Sequence, residues 1–286
     1  MTYADLPACI DITCDAFQDD AYISWLSPKS DIYPDSARAA WHRRTRARLS
    51  QQGFYNFVCV MDKNDVSANA MEDNGPEDTR AMPSGEIMGY VMFARNGPPD
   101  DELQKSWHSN NSSLLKSIER FTCTVEAKYF EALRLEYARD YTHAAEQAAF
   151  VASSDAFAGL PSHWHAHMLA VSPRWQRRGV ASMLLQWGFD RAREELVPLT
   201  LRASATGLAL YRKLGFRVVS WSVIESISQN EGGAVCVWDE KDVWVREAVG
   251  GEREAVYFSR TRYNDGTWTE KAKEYMRAQD RKGRNP

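Results

Sequence analysis

No stretch of this chain stays apolar long enough to span a bilayer, and its start, MTYADLPACIDITCDAF, lacks the basic residues and continuous apolar core of a secretory signal. No membrane partner is expected, and a cytoplasmic location is the default. Cysteine is sparse: Cys9, Cys14, Cys59, Cys123 and Cys236 are odd in number, scattered, and form no CxxC pair. That pattern argues against a disulfide framework or a cysteine metal site and favours buried reduced thiols. Positive charge is not in surplus either, since 35 Lys and Arg stand against 39 Asp and Glu. Such a balance gives no general attraction to nucleic acid, so a small ligand is the expected partner. Two phosphate-binding signatures are missing as well: GxxxxGK(S/T) does not occur, and the one glycine-bearing basic loop has a single glycine where GxGxxG needs three.

That loop is the most informative segment present. In HAHMLAVSPRWQRRGVAS (165–182) a short apolar strand runs into a basic loop that opens a helix, with Val180, Met183, Leu184 and Trp187 at helical spacing on one face. At a helix N-terminus the first amides have no intrahelical acceptor and the positive end of the helix dipole lies behind them, which suits a pyrophosphate. Gly179 lets backbone approach closely, and Arg177 and Arg178 add charge.

Elsewhere the pattern alternates. A helix with Asp5 as N-cap is expected from Asp5 to about Asp19, and an arginine-rich helix from Pro34 to Gly53. Phe54–Asp62 and Glu86–Arg95 read as strands joined by a polar, turn-rich connection. The segment 124–150 reads as a helix whose Tyr129, Leu133, Tyr137 and Tyr141 recur every four residues, as a buried stripe or as a lid over a greasy substrate. Val197–Ala203, FRVVSWSVIES, AVCVWDEKDVWVRE and EAVYFSR supply further strand-like runs, and TGLALYRKLGF a short helix ending at Gly215. A single domain over 1–286 is expected, with a polar loop at 63–85, a helical insertion at 96–162, a ligand-binding core at 163–220 and a polar tail at 260–286.

QRRGVA (176–181), LAVSP before it and LYRKLGF (210–216) after it together resemble the GCN5-related N-acetyltransferase (GNAT) superfamily, whose acetyl-CoA signature is Q/R-x-x-G-x-G/A. The resemblance is close over about 164–219. It implies a mixed α/β fold: a curved, mostly antiparallel sheet, helices on both faces, splayed open beside the LAV strand. It further implies that acetyl-CoA enters as co-substrate, its pantetheine pairing with Leu169, Ala170 and Val171 and its pyrophosphate resting on Gln176, Arg177, Arg178, Gly179, Val180, Ala181 and Ser182. Ser204 stands where the family often has asparagine, and only Met1–Tyr3 precede ADLPACI where a first strand is usual.

Acetyl transfer to an amine requires a base for the amine proton and benefits from an acid for the departing thiolate. His163, His165 and His167 alternate along the strand before LAV, so their side chains share a face at a spacing of roughly 6 to 7 Å. HAHMLAV is similar to the HxHxLAV of arylalkylamine (serotonin) N-acetyltransferases, which implies His165 and His167 in the base role, removing the proton through ordered water. By the same resemblance Tyr211 would protonate the sulfur. A histidine pair can also be a polar pair on a sheet face, or part of a zinc site, though no carboxylate or cysteine nearby completes a ligand set and no metal is expected. The expected activity is direct acetyl transfer to a small primary amine, with Trp25, Trp41, Trp107, Tyr129 and Tyr137 tilting the expectation toward an aromatic one. A non-catalytic acyl-CoA-binding module and a protein N-terminal or lysine acetyltransferase stay open as alternatives.

Overall fold

The computed structural model describes residues 1–62, 85–98, 101–110, 113–141, 157, 160, 162–221 and 233–240. The elements in chain order are α1 (Leu6–Ala16), α2 (Ala21–Leu26), α3 (Pro34–Ser50), β1 (Phe54–Val60), β2 (Ile87–Asn96), α4 (Glu102–Asn110), α5 (Leu114–Ala132), β3 (His163–Val171), α6 (Val180–Glu195), β4 (Leu199–Ala203), α7 (Ala205–Lys213), β5 (Arg217–Trp221) and β6 (Ala234–Trp238). The connection at 63–84, the aromatic helix pattern from residue 142 onward, the strand runs beyond residue 240 and the tail at 260–286 lie outside the described residues.

The six strands form one mixed sheet in the order β1-β2-β3-β4-β6-β5. All neighbours are antiparallel except β3 and β4, which run parallel over only Trp164↔Leu199, His165↔Thr200 and Ala166↔Leu201. Beyond Ala166 the two strands part. On its other side β3 stays paired with β2 as far as Val171↔Gly89. The ladder slips between Met92 and Phe93: Phe93 faces Ala166 and Met92 faces Met168, so His167 is the extra residue of a bulge. A bulge turns the strand and raises its twist, which carries the far half of β3 away from β4.

Alternation along β2 separates two apolar layers. Val91 and Phe93 face a core with Leu184, Leu185, Phe189 and Ala192 of α6, Trp164 of β3 and Tyr211 of α7. Tyr90, Met92 and Ala94 face the opposite way, against Cys9 and Ile12 of α1, Phe54 of β1 and Ala170 of β3. Helices therefore cover both faces. On α6 the buried residues are Val180, Leu184, Leu185, Gly188, Phe189 and Ala192, whereas Met183, expected on the same face, is exposed.

Three expectations for the N-terminal half need correction. Asp5 does not cap α1; its carboxylate instead accepts from Thr2 N (2.6 Å) and Thr2 Oγ1 (3.0 Å), tightening a 3-10 turn over Tyr3–Asp5. The helix expected over 124–150 begins earlier, at Leu114, with Ser113 Oγ accepting from Lys116 N, and ends at Ala132. Arg134 then takes a left-handed φ of 51°. Tyr129, Leu133 and Tyr137 are exposed, not a buried stripe. What α5 turns toward α3 is charge, with Arg46 paired to both Glu119 and Glu126, beside the buried Cys123. A four-residue repeat of aromatics marked the wrong face.

A fully buried arginine ties the helical segment to the sheet. Arg95 Nε donates to Glu195 Oε2 (2.7 Å) and Nη2 to Asp101 Oδ2 (3.2 Å). The remaining Glu195 oxygen accepts from Trp107 Nε1 (2.8 Å) and Trp164 Nε1 (3.1 Å). The charges are paired and the carboxylate's second oxygen is bonded, the condition under which a buried ion pair is tolerated.

Candidate active site

Where β3 leaves β4, one edge of the strand is open. Alternate residues of an antiparallel strand direct both N–H and C=O to the same neighbour. Ser172 N donates to Met88 O of the β2 side (3.0 Å), so Ala170, two residues back, shares that orientation. The N–H and C=O of Leu169 and Val171 then point into the gap. Gln176 Nε2 reaches Val171 O from that side at 3.2 Å. Leu169 thus presents unpaired backbone to the split, while Ala170 is committed to the sheet.

At the mouth of the gap lies the basic loop. Arg177 (φ 63°) and Gly179 (φ 84°) are both left-handed, which turns the chain sharply into α6. Residues Gln176 to Gly179 are exposed, and a Cβ added at Gly179 would meet nothing within 4 Å. The amides of Val180, Ala181 and Ser182 open the helix, with no residue four back inside it to accept from them. Arg178 lies over the buried Trp175 ring (5.1 Å), which fixes the loop from beneath. Ser204 Oγ accepts from Gly207 N at 3.2 Å and so caps α7.

The three histidines share the α1 face, as their spacing implies. Ring centroids of His163 and His165 are 6.4 Å apart, those of His165 and His167 5.0 Å, with Phe157 beside His165 (5.1 Å) and Phe54 beside His167 (5.2 Å). Thr200 holds the ring of His165: its hydroxyl lies 2.8 Å from His165 Nδ1 and 3.1 Å from Trp164 O, to which it can donate its one proton. With that proton on Trp164 O, Nδ1–H donates to Thr200 and Nε2 keeps a lone pair.

Electrostatics keep these rings neutral. Burial, then His167, His163, Arg202 and Arg48, hold His165 well below the usual imidazole range. Burial, with Arg95 behind it, lowers His163 to about 3. His167 is solvent-exposed on the cleft wall, and crowding by protein atoms, then Arg48 and Arg202, lowers it too. Tyr211 belongs to the opposite core beside Phe216; burial first, then Cys236, raises it above the ordinary phenol range, so it stays protonated. Among the described residues no hydrogen bond or ring contact joins Tyr211 to the histidines.

Of the sequence-derived residues, the structure brings together His163, His165 and His167, and sets the 176–182 loop at the end of the gap bordered by Leu169 and Val171. It separates the aromatic set: Trp107 packs with Tyr55, Trp164 and Trp187 in the α6 core, Trp41 is buried, and Tyr129 and Tyr137 face solvent. Sequence reasoning missed Thr200 and Arg48. Thr200 was a polar residue in a run of strand character, and Arg48 one arginine among many on α3; neither position announces its partner. No group of three or more His, Cys, Asp or Glu able to hold a metal occurs among the described residues. Nor is any helix there long and apolar enough to cross a membrane.

Residues 138–218 match the family model described as Acetyltransferase (GNAT) domain. The chain is 23% identical over 171 residues to an uncharacterized N-acetyltransferase of Schizosaccharomyces pombe, covering 60% of this chain and 65% of that protein. It is 35% identical over 49 residues to a probable acyltransferase of Ajellomyces capsulatus, covering 17% of this chain and 36% of the other. Less than two thirds of either relative is thus spanned. Among solved structures, a histone acetyltransferase and related acetyltransferase from Corynebacterium glutamicum is 18% identical, with a TM-score of 0.44 over 84% of this chain and 92% of that one.

Proposed function

The chain carries a GNAT acetyltransferase domain, matched over residues 138–218, and on that premise we propose that it is an acetyl-CoA-dependent N-acetyltransferase acting by direct transfer to a small primary amine. The observation that carries this is the open edge of β3 ending at the N-terminus of α6. An extended amide-bearing arm laid along Leu169 and Val171 gains the hydrogen bonds that β4 does not supply, as an added strand would. Its pyrophosphate end then meets the amides of Val180, Ala181 and Ser182, flanked by Arg177 and Arg178.

The transfer follows from the same placement. The Leu169 N–H holds the thioester oxygen and stabilises the negative charge that develops there. His165 Nε2 takes the proton of the incoming amine, and exposed His167, 5.0 Å away ring to ring, passes it to water. The amine nitrogen bonds to the carbonyl carbon, the C–S bond breaks, and the sulfur leaves with the electron pair. Tyr211, held protonated, supplies the proton to that sulfur. A preference for arylalkylamines draws its support from the HAHMLAV stretch and from Phe54 and Phe157 beside the histidines, not from the helical aromatics.

Acetyl-CoA should raise the melting temperature, and a thiol-release assay against a panel of amines should show turnover. Melting that does not respond to CoA would overturn the proposal.

A further inference from the structure

Arg48 of α3, whose charge acts on both His165 and His167, is paired with no described residue by hydrogen bond or ion pair, and its Nη1 is buried without a partner. Its surroundings are cationic: Arg202 and Arg48 both act on His165 and His167, and Arg44 acts on Arg48. The carboxylate of Glu136 is taken by two other guanidiniums of α3, from Arg43 at 3.0 Å and Arg44 at 2.8 Å. The phenol of Tyr90, within reach of Arg48, is bonded to Thr13 Oγ1 at 2.5 Å.

A half-buried guanidinium with one covered nitrogen left unbonded is costly in a folded chain. It is tolerated where a ligand completes it, and its planar fork matches an oxyanion. We propose that the acceptor amine also bears an oxyanion, a carboxylate or a phosphate, which pairs with Arg48 inside the histidine cleft. This rests on the acetyl-transfer reading above and adds the substrate class to it. A purely cationic polyamine would meet Arg48 with like charge. An anionic acceptor meets the opposite, and by neutralising Arg48 it lifts one cause of the depressed basicity of His165 and His167. The base would then be strongest when its substrate is in place.

The test compares matched amines: phenylalanine against phenethylamine for the carboxylate, and O-phosphoethanolamine against ethanolamine for the phosphate. In the wild type, kcat/KM should favour the anionic member of at least one pair by tenfold or more, and the pair that does so identifies the oxyanion. Arg48→Met should abolish that preference and Arg48→Lys should keep part of it. Because Arg48→Met removes a covered nitrogen that has no partner, the unliganded variant should melt no lower than the wild type. A readout without turnover separates the two claims: 3-phenylpropionate or phenylphosphate should raise the melting temperature of the wild type and not of Arg48→Met. That shift without turnover of any amine would overturn acetyl transfer and keep the anion site. Turnover favouring the members without an oxyanion, or a preference surviving Arg48→Met, would overturn the anion site and keep acetyl transfer.

Discussion

Thr200 Oγ1 lies 2.8 Å from His165 Nδ1 and 3.1 Å from the carbonyl of Trp164, and so ties the imidazole of His165 to the strand beside it. Thr200 is fully buried, and its partner Trp164 O belongs to the last stretch where β3 and β4 still pair. The seam that closes the sheet thus also orients the ring of His165.

Thr200→Val should keep the shape and lose the acceptor. We expect kcat to fall about tenfold or more, a share of what a positioned base contributes, with little change in acetyl-CoA affinity. Thr200→Ser should restore most of it. If Thr200→Val turns over like the wild type, His165 does not depend on this bond.

Gly179→Ala should separate binding from stability. The side chain has open space but the φ of 84° disfavours it, at a cost of about 1 kcal/mol. The melting temperature should drop by a few degrees while acetyl-CoA affinity falls tenfold or more, because the pyrophosphate must approach that backbone. Equal affinity in a calorimetric titration would remove the loop from the binding site.

The neutral histidines set an acid limit to stability. His163 is 7% exposed, and its pKa is near 3 folded against about 6.5 unfolded. Below pH 6.5 the unfolded chain takes up a proton that the folded one refuses. Stability present above that pH is lost as pH falls, at about 1.4 kcal/mol per pH unit from this residue. Melting followed from pH 7.5 to 5 should be less steep for His163→Gln than for the wild type; parallel curves would refute this.

Glu195→Gln should destabilise by about 3 kcal/mol, since it leaves Arg95, 1% exposed, with a weakened set of partners. Urea unfolding measures it. Arg95→Met together with Glu195→Gln should cost less than the sum of the two single changes.

Tyr211→Phe should lower kcat far more than it weakens acetyl-CoA binding. The reverse pattern would make Tyr211 a packing residue of the α6 core, where it touches Phe216.

The site was more legible in the sequence than the helices around it. Period-two spacing put the three histidines on one face, and glycine with arginines before a helical period marked the loop, because both signals are local. The bulge at His167 was not legible, since it is a mismatch between two strands and leaves no mark on either. It also decides that Leu169 and not Ala170 offers its amide to the split. Tyr129 and Tyr137 misled because α5 docks on α3 through Arg46, Glu119 and Glu126, so apolar periodicity pointed outward. Arg48 was visible only as one charge in an arginine-rich helix; that it lacks a partner is a property of three dimensions.

The three residue pairs between β3 and β4 are the whole backbone seam joining the β1-β2-β3 half of the sheet to the β4-β6-β5 half. A ligand wedged into the gap beyond Ala166 would touch both halves and act as a splint across a short weld. The two halves should then exchange their amide hydrogens more independently in the free protein and as one unit once the cleft is filled, so that occupancy of the site is felt at β5, far from any ligand atom.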